Sequence, residues 1–388
     1  MSHPLETSLV VWGDRNAPAS AVGQMVKAIE ATGAIDRLAL SDQLVNFFPR
    51  PLWTPDVMPM AAVLPDPDSI QEAWTTAGYI LASAPSMGFT LLSDSIRRGP
   101  AEFVQAMLTL ANITEGRAMF QIGAGEVKNI TPYGYRRQGL GRMEDLFRFF
   151  NAVWDSEGKP FDFEGNYWSM KNATLGGARP HRPEIWGLGE GPKLLDNVTS
   201  YADGISSVMP VKYPTAEKAL ARREEARKLL VQKGRDPDKF RFGMLAATLI
   251  HSDENVIDRA LDNRALKWFS AISGRITKED WEDAGLRSPM PDDWSYYTKM
   301  KPYSHDASFV EDVISKTTRR HCEAAWLYGT PEHVADALVP YVETGISWIG
   351  VADYLTMLLP LEEAAGAFQF AVDALGRLKA ETHAATPA

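Results

Sequence analysis

A single cysteine, Cys322, stands in 388 residues, which excludes an internal disulfide and suits a reducing compartment. No apolar run approaches ~18 residues, so the sequence offers no membrane-spanning helix. The opening MSHPLETSLVVWGDR lacks a basic stretch followed by an apolar core, so no secretory signal is expected and a cytoplasmic location is. Positive charge is scarce: 40 Lys and Arg against 50 Asp and Glu leave a net charge of −10 and a pI near 5.3. That balance argues against nucleic acid or an anionic membrane surface as partner. P-loop, HExxH, CxxC and GxSxG patterns are all missing, so the sequence points to no metal centre and gives a serine hydrolase no support. No repeat or low-complexity stretch interrupts the chain.

What is present is an alternation of strand and helix signals. Leu9–Trp12, Arg37–Leu40, Gly88–Leu92, Arg117–Ile122, Glu184–Trp186, Gly204–Val208, Arg241–Ile250 and Ile346–Val351 read as buried strands. Helical periodicity falls between them, in 18–31, 69–82, 100–113, 142–154, 193–201, 216–233 and 331–342, with a closing helix over 361–378. Eight βα units in one chain predict a single (β/α)8 TIM barrel over 1–388, for which ~250 to more than 400 residues is the normal span. A doubly wound sheet would need a glycine-rich turn after its first strand, and Gly13-Asp14-Arg15-Asn16 is not one. Three segments exceed the barrel's needs: about 43–68, with six prolines and an aromatic-rich composition; 156–182, with a hairpin around Gly165-Asn166; and 253–308, read as irregular and rich in Trp and Tyr. The first reads as an ordered lid over the barrel's C-terminal mouth. The tail 380–388 reads as flexible.

The most informative stretch is 87–126. An apolar strand, a polar Ser93-Asp94-Ser95 cluster, a helix opened by Pro100, a Thr114-Glu115-Gly116 stop and a second strand end in Gly123-Ala124-Gly125-Glu126. Two glycines and a carboxylate thus stand at a strand's C-terminal end, where parallel α/β folds place ligands. The residues Arg98, Pro100, Ala101 and Gln105, then Ile113, Gly116 and Arg117, then Gly123, Gly125 and Glu126 resemble the shared pattern of the luciferase-like family of flavin and deazaflavin oxidoreductases. Arg142, the loop 187–192, the 201–204 strand start and Tyr328-Gly329-Thr330-Pro331 fall in the same order, so the resemblance covers nearly the whole chain. Within that family the likeness is greatest to branches that use coenzyme F420, including ketoreductases of complex-lipid biosynthesis. The resemblance implies a homodimer acting on a small, hydrophobic organic substrate. Hydride would pass between the deazaflavin and a carbonyl, an alcohol or an activated double bond. An FMN-dependent monooxygenase, or a non-catalytic flavin-binding relative, are the alternatives.

The site residues follow from the same alignment. A carboxylate after an apolar strand is either a solvated loop residue or an active-site group; the resemblance puts Glu126 beside the cofactor ring as proton donor or hydrogen-bond partner, with Asn129 next to it. Asp42-Gln43 follows the second strand where the F420 branch usually has Asp-His. Gln43 cannot titrate near neutrality, which leaves Glu126 as the main ionisable candidate and His251 as a substitute. Thr90-Leu91 stands where the branch carries a non-prolyl cis peptide behind the ring; otherwise it is ordinary core strand. Gly189, Glu190, Gly191 and Pro192 lead into a helix N-terminus that suits the cofactor's phosphate end. There Glu190 should point away and Lys193 is a candidate counter-charge. The aromatics Phe47, Phe48, Trp53, Trp268, Trp281, Trp294, Tyr296 and Tyr297 are either packing or the lining of a large apolar pocket.

Overall fold

The computed structural model describes residues 3–136 and 139–384, with side chains to Thr382. Its strands are β1 (Glu6–Val10), β2 (Arg37–Ser41), β3 (Gly88–Asp94), β4 (Ala118–Gly123), the antiparallel pair β5 (Phe161–Glu164) and β6 (Ser169–Ala173), β7 (Glu184–Leu188), β8 (Gly204–Met209), β9 (Arg241–Ile250), β10 (Leu327–Gly329) and β11 (Trp348–Asp353). β1, β2, β3, β4, β7, β8, β9 and β11 pair in parallel in that order, and β11 returns to β1 in the register Leu9 to Val351. The result is a closed eight-stranded (β/α)8 barrel. β10 adds a short edge along the upper half of β9.

Alternation along the strands sorts side chains to two sides of the wall. Outward positions such as Leu38, Phe89, Leu91, Phe120, Ile185 and Ile349 join the helices in the main core. Inward positions fill the barrel: Met119, Trp186 and Trp348 form a layer toward the N-terminal end, and Val10, Ala39, Leu92 and Ala352 one toward the mouth. Gly243 makes room for the lower layer, since a Cβ there would lie 2.8 Å from both the Trp186 and Trp348 rings. The N-terminal end is sealed by charge. Arg241 pairs with Glu6 at 2.6 Å and Glu184 at 3.0 Å, and Arg37 pairs with Glu6 at 2.8 Å. The C-terminal mouth is the end that opens to a cavity.

The helices stand close to their expected places: Ala19–Thr32, Ala73–Ser83, Pro100–Ile113, Gly139–Asp155, Pro192–Tyr201, Ala216–Gln232 and Pro331–Glu343. Ala73–Ser83 starts later than the periodicity predicts because Ile70 bridges Asp14 and the Glu72 side chain caps the helix. The closing helix is split into Leu361–Ala364 and Phe368–Ala384. The second piece covers 380–384, which the sequence reading assigns to a flexible tail; 385–388 lie outside the described residues.

The larger difference is in 253–308: its first half, 254–283, is helical, whereas 284–306 is irregular apart from the short turns Tyr296–Lys299 and Pro302–Ser304. Glu254–Leu261, Arg264–Ser273, Lys278–Asp283 and Ala307–Lys316 are each capped by a side chain, from Asp253, Asn263, Thr277 and Asp306 respectively. With Arg319–Ala325 they enclose a second core around Leu266, Trp268, Phe269, Val310, Val313 and Trp326. The proline-rich 43–68 segment docks on it through Phe47, Phe48, Leu52 and Met58, and the Trp268 Nε1 donates to the Phe47 carbonyl at 3.0 Å. This segment is an ordered lid with two short 3-10 turns.

Candidate active site

Between the barrel mouth and the two insertions lies a cavity of about 870 Å³. Its floor is made by strand ends: Val10, Ser41, Leu92 to Asp94, Gly123, Leu188, Ser207, Leu245 and Ala352. Its roof is aromatic. Phe269 stacks on Phe47 at 4.8 Å and meets Tyr354 at 4.9 Å and Trp326 at 5.3 Å edge to face.

Glu126 projects from the turn after β4. Gly125 holds φ +85°, a conformation that costs glycine nothing, and a side chain there would also run into Ile130. Three donors converge on the carboxylate. The Tyr296 hydroxyl donates to Oε1 at 2.5 Å, Asn129 Nδ2 donates to Oε2 at 3.2 Å, and Lys128 Nζ lies 3.3 Å from Oε2. Asn129 also accepts from the backbone N–H groups of Leu44 and Val45, so it ties the lid segment to β4's end.

Lys128 is fully buried, which is rare for lysine without partners. Its ammonium donates to the Val45 carbonyl at 2.6 Å and to Gln43 Oε1 at 3.0 Å, and stands 4.1 Å over the Phe47 ring. Burial lowers its pKa, and the Glu126 carboxylate opposes that shift. Gln43 in turn donates from Nε2 to Ser41 Oγ at 3.1 Å. The amide that stands in the place of a histidine is thus fixed at both ends and carries no titrating proton.

Asp42 lines the same cavity and is clamped from behind. Ser93 Oγ donates to Oδ2 at 2.7 Å, Trp74 Nε1 at 3.2 Å, and Arg97 sits 3.1 Å from it while also binding Asp94 at 2.5 Å. One guanidinium bridges two buried carboxylates. Their field outweighs burial and raises the Arg97 pKa. Arg98, by contrast, turns to the surface and pairs with Glu72.

Gly189 and Glu190 line the opposite wall, while Gly191 and Pro192 flank it at the start of the helix Pro192–Tyr201. Gly191 holds φ +106°, and no side chain caps the helix. Glu190 turns its Oε2 to the Tyr213 hydroxyl at 2.7 Å, with Arg222 Nε at 3.8 Å. Arg222 also donates to the Gly191 carbonyl at 3.2 Å, so this arginine is the loop's cation, and Lys193 lies exposed outside it.

The structure thus brings together Asp42, Gln43, Glu126, Asn129, Gly189 and Glu190 around one cavity. Thr90 and Leu91 do not belong to it. Both are fully buried one layer below, Leu91 packs outward into the main core, and β3 reaches the cavity with Leu92, Ser93 and Asp94. The bond between them is not cis; among the described residues the cis bond is Met209-Pro210. His251 is excluded as a substitute base, since its ring packs on Phe370 at 4.5 Å away from the cavity. Of the aromatics, Phe47, Tyr296 and Tyr297 reach the cavity, whereas Phe48, Trp53, Trp268, Trp281 and Trp294 do not. Lys128, Arg97, Trp12 and Tyr354 were not anticipated. Tyr354 directly follows β11 and Trp12 stands two residues past the end of β1, so strand ends are the signal that would have found them; Lys128 and Arg97 carry no such signal.

The profile of the luciferase-like monooxygenase family matches residues 11–347. A phthiodiolone/phenolphthiodiolone dimycocerosates ketoreductase of Mycobacterium kansasii is 29% identical over 333 residues, 83% of this chain and 88% of that one. An F420-dependent glucose-6-phosphate dehydrogenase of Kineococcus radiotolerans is 33% identical over 125 residues, 31% of this chain and 35% of that one. Among solved structures, an F420-dependent secondary alcohol dehydrogenase bound to an F420-acetone adduct superposes with a TM-score of 0.67 at 17% identity, over 97% of this chain and 98% of that one. The chain belongs to the luciferase-like monooxygenase family of oxidoreductases.

Proposed function

We propose that this protein is an F420-dependent oxidoreductase that transfers hydride between the deazaflavin and a carbonyl, alcohol or activated double bond of a hydrophobic organic molecule. The observation that carries the reading is a largely apolar cavity of about 870 Å³ whose polar corner is Glu126, Asn129 and Tyr296, with the buried Lys128 behind Glu126. A site of that size and character suits a large planar cofactor with a substrate against it. The names of the ketoreductase and dehydrogenase relatives support the same chemistry.

The residues present fit the cofactor. Trp12 and Glu190 are among the cavity's lining residues, and the buried Trp12 Nε1 has no hydrogen-bond partner in the protein, so this indole N–H is an unmet donor beside the site. Gly189, Gly191 and the uncapped first turn of Pro192–Tyr201 would hold the phosphate end, with Arg222 behind them. When bound, the deazaflavin supplies the two-electron carrier. The remaining roles belong to the chain. Asn129 and Lys128 fix the lid segment and the Glu126 carboxylate. Phe47, Phe269, Trp326 and Tyr354 exclude water from the reacting centre. Glu126 takes up or returns the proton that accompanies hydride transfer. The active form is proposed to be a cytoplasmic homodimer of single-domain chains, as the family likeness implies.

Under nitrogen, the protein with reduced F420 and an aliphatic ketone should oxidise the cofactor in step with alcohol formation. Two other readings remain: an FMN-dependent monooxygenase, and a flavin binder without turnover, the latter favoured by Gln43. Oxygen uptake with reduced FMN would support the first, and binding without turnover of either cofactor the second.

A further inference from the structure

We infer that Tyr296 is a catalytic residue, the group that exchanges a proton directly with the substrate oxygen, while Glu126 acts one step behind it. The inference rests on the oxidoreductase reading above and goes beyond it in naming the atom at which the proton crosses. Tyr296 lies on the short helix Tyr296–Lys299, within the insertion, and reaches across the mouth to a residue 170 positions away in sequence. Its ring lines the cavity, and its hydroxyl donates to Glu126 Oε1 at 2.5 Å.

A phenol in that position has one lone pair still available to accept a hydrogen bond from the cavity side. A substrate alcohol that donates to Tyr296 Oη completes a line from substrate oxygen to phenol to carboxylate. Oxidation then runs as follows. The carbinol C–H bond breaks and its electron pair leaves as hydride to the oxidised deazaflavin. The substrate O–H bond breaks, a new O–H bond forms at Tyr296 Oη, and the original phenolic proton moves to Glu126 Oε1. The products are a carbonyl, reduced deazaflavin, neutral tyrosine and protonated Glu126. Reduction of a carbonyl is the same line traversed backward, with Glu126 supplying the proton.

The surroundings are built for this order. Tyr296 is half-buried, and desolvation together with the neighbouring Glu126 carboxylate pushes its ionisation well above the ordinary value for a phenol, so it relays a proton rather than holding a charge. The charge is left on Glu126, where Asn129 and the buried Lys128 ammonium stabilise it. Tyr354 also lines the cavity, but among the described residues no hydrogen bond joins it to Glu126. Gln43 is occupied by Ser41 and Lys128.

The test uses the full chain with oxidised F420 and 2-octanol, and in reverse with reduced F420 and 2-octanone. Tyr296→Phe should lower kcat by about 10²-fold or more in both directions, as expected for a lost acid–base group. The F420 dissociation constant, read by fluorescence titration, should stay within about threefold, and the ligand-free variant should melt within a few degrees of the wild type. Combining Tyr296→Phe with Glu126→Gln should cost no more than the worse single change, because the two act as one unit. If Tyr296→Phe keeps its kcat, or if its defect is confined to F420 affinity, the inference is overturned while the oxidoreductase reading stands. If the wild type neither binds F420 nor turns over either probe, both fall together.

Discussion

Glu126 draws its partners from three stretches of chain: Lys128 and Asn129 from its own turn, the 43–45 segment through them, and Tyr296 from the far insertion. Glu126→Gln keeps the shape and removes the ionisable oxygen, so kcat should fall by at least ~10²-fold with little change in cofactor affinity. Near-full turnover in that variant would move the proton to the substrate or to water. A second buried carboxylate offers a test without any cofactor. Asp353, at the end of β11, accepts from Ile250 N and Thr248 Oγ1 through Oδ1 but leaves Oδ2 unpartnered, and burial raises its pKa to about 7. The folded state therefore binds a proton that the unfolded state has released between about pH 4 and pH 7, so this group's contribution to stability falls as pH rises through that window. At ~1.4 kcal/mol per unit, ionising Asp353 costs the fold a few kcal/mol. Asp353→Asn should flatten the decline in melting temperature between pH 5 and pH 8. An unchanged slope would show that Asp353 is already ionised in the fold. At this scale the sequence reveals what stands at a strand's end, namely Asp42, Gln43, Glu126 and Asn129. It hides Lys128, and it marks Tyr296 only as a pocket-lining aromatic, without its bond to Glu126 across the fold; Thr90-Leu91 it misplaces by one layer.

Elements were legible wherever their signal is local. Barrel strands and their helices fall within a few residues of expectation because apolar periodicity and breakers such as Pro100, Gly116 and Gly33 mark them. In the 253–308 insertion the irregular reading fits 284–306 but not 254–283, where tryptophans and tyrosines outweighed the capping residues that set the helices. Ser252-Asp253, Asp262-Asn263 and Thr277 followed three residues later by Asp280 were the available signs. Trp268 holds this insertion to the lid, buried to 1% exposure and bonded to Phe47. Trp268→Ala should cost ~3–5 kcal/mol by the loss of a large core side chain, read as a lower denaturant midpoint together with weaker cofactor binding. An unaltered midpoint would mean that the insertion folds on other contacts. At the opposite wall, Gly191→Val should weaken cofactor binding while leaving the fold intact. The cause is the backbone, because a side chain at Gly191 meets nothing within 4 Å but cannot adopt φ +106° without strain. An unchanged dissociation constant would remove this loop from the site.

For the whole molecule, the closed barrel places the Glu6, Arg37, Glu184 and Arg241 ion pairs at one end and a cavity at the other, and the two insertions turn that open mouth into a partly enclosed, aromatic-roofed chamber. The barrel was readable from eight βα units in order; the enclosure was not, since it depends on how distant segments pack. The central claim is that this chamber is shaped for a deazaflavin. Fluorescence titration of the purified protein against F420 and FMN under identical conditions tests it most directly. F420 is predicted to bind more tightly than FMN by at least about tenfold, ~1.4 kcal/mol; equal or tighter binding of FMN would contradict the account.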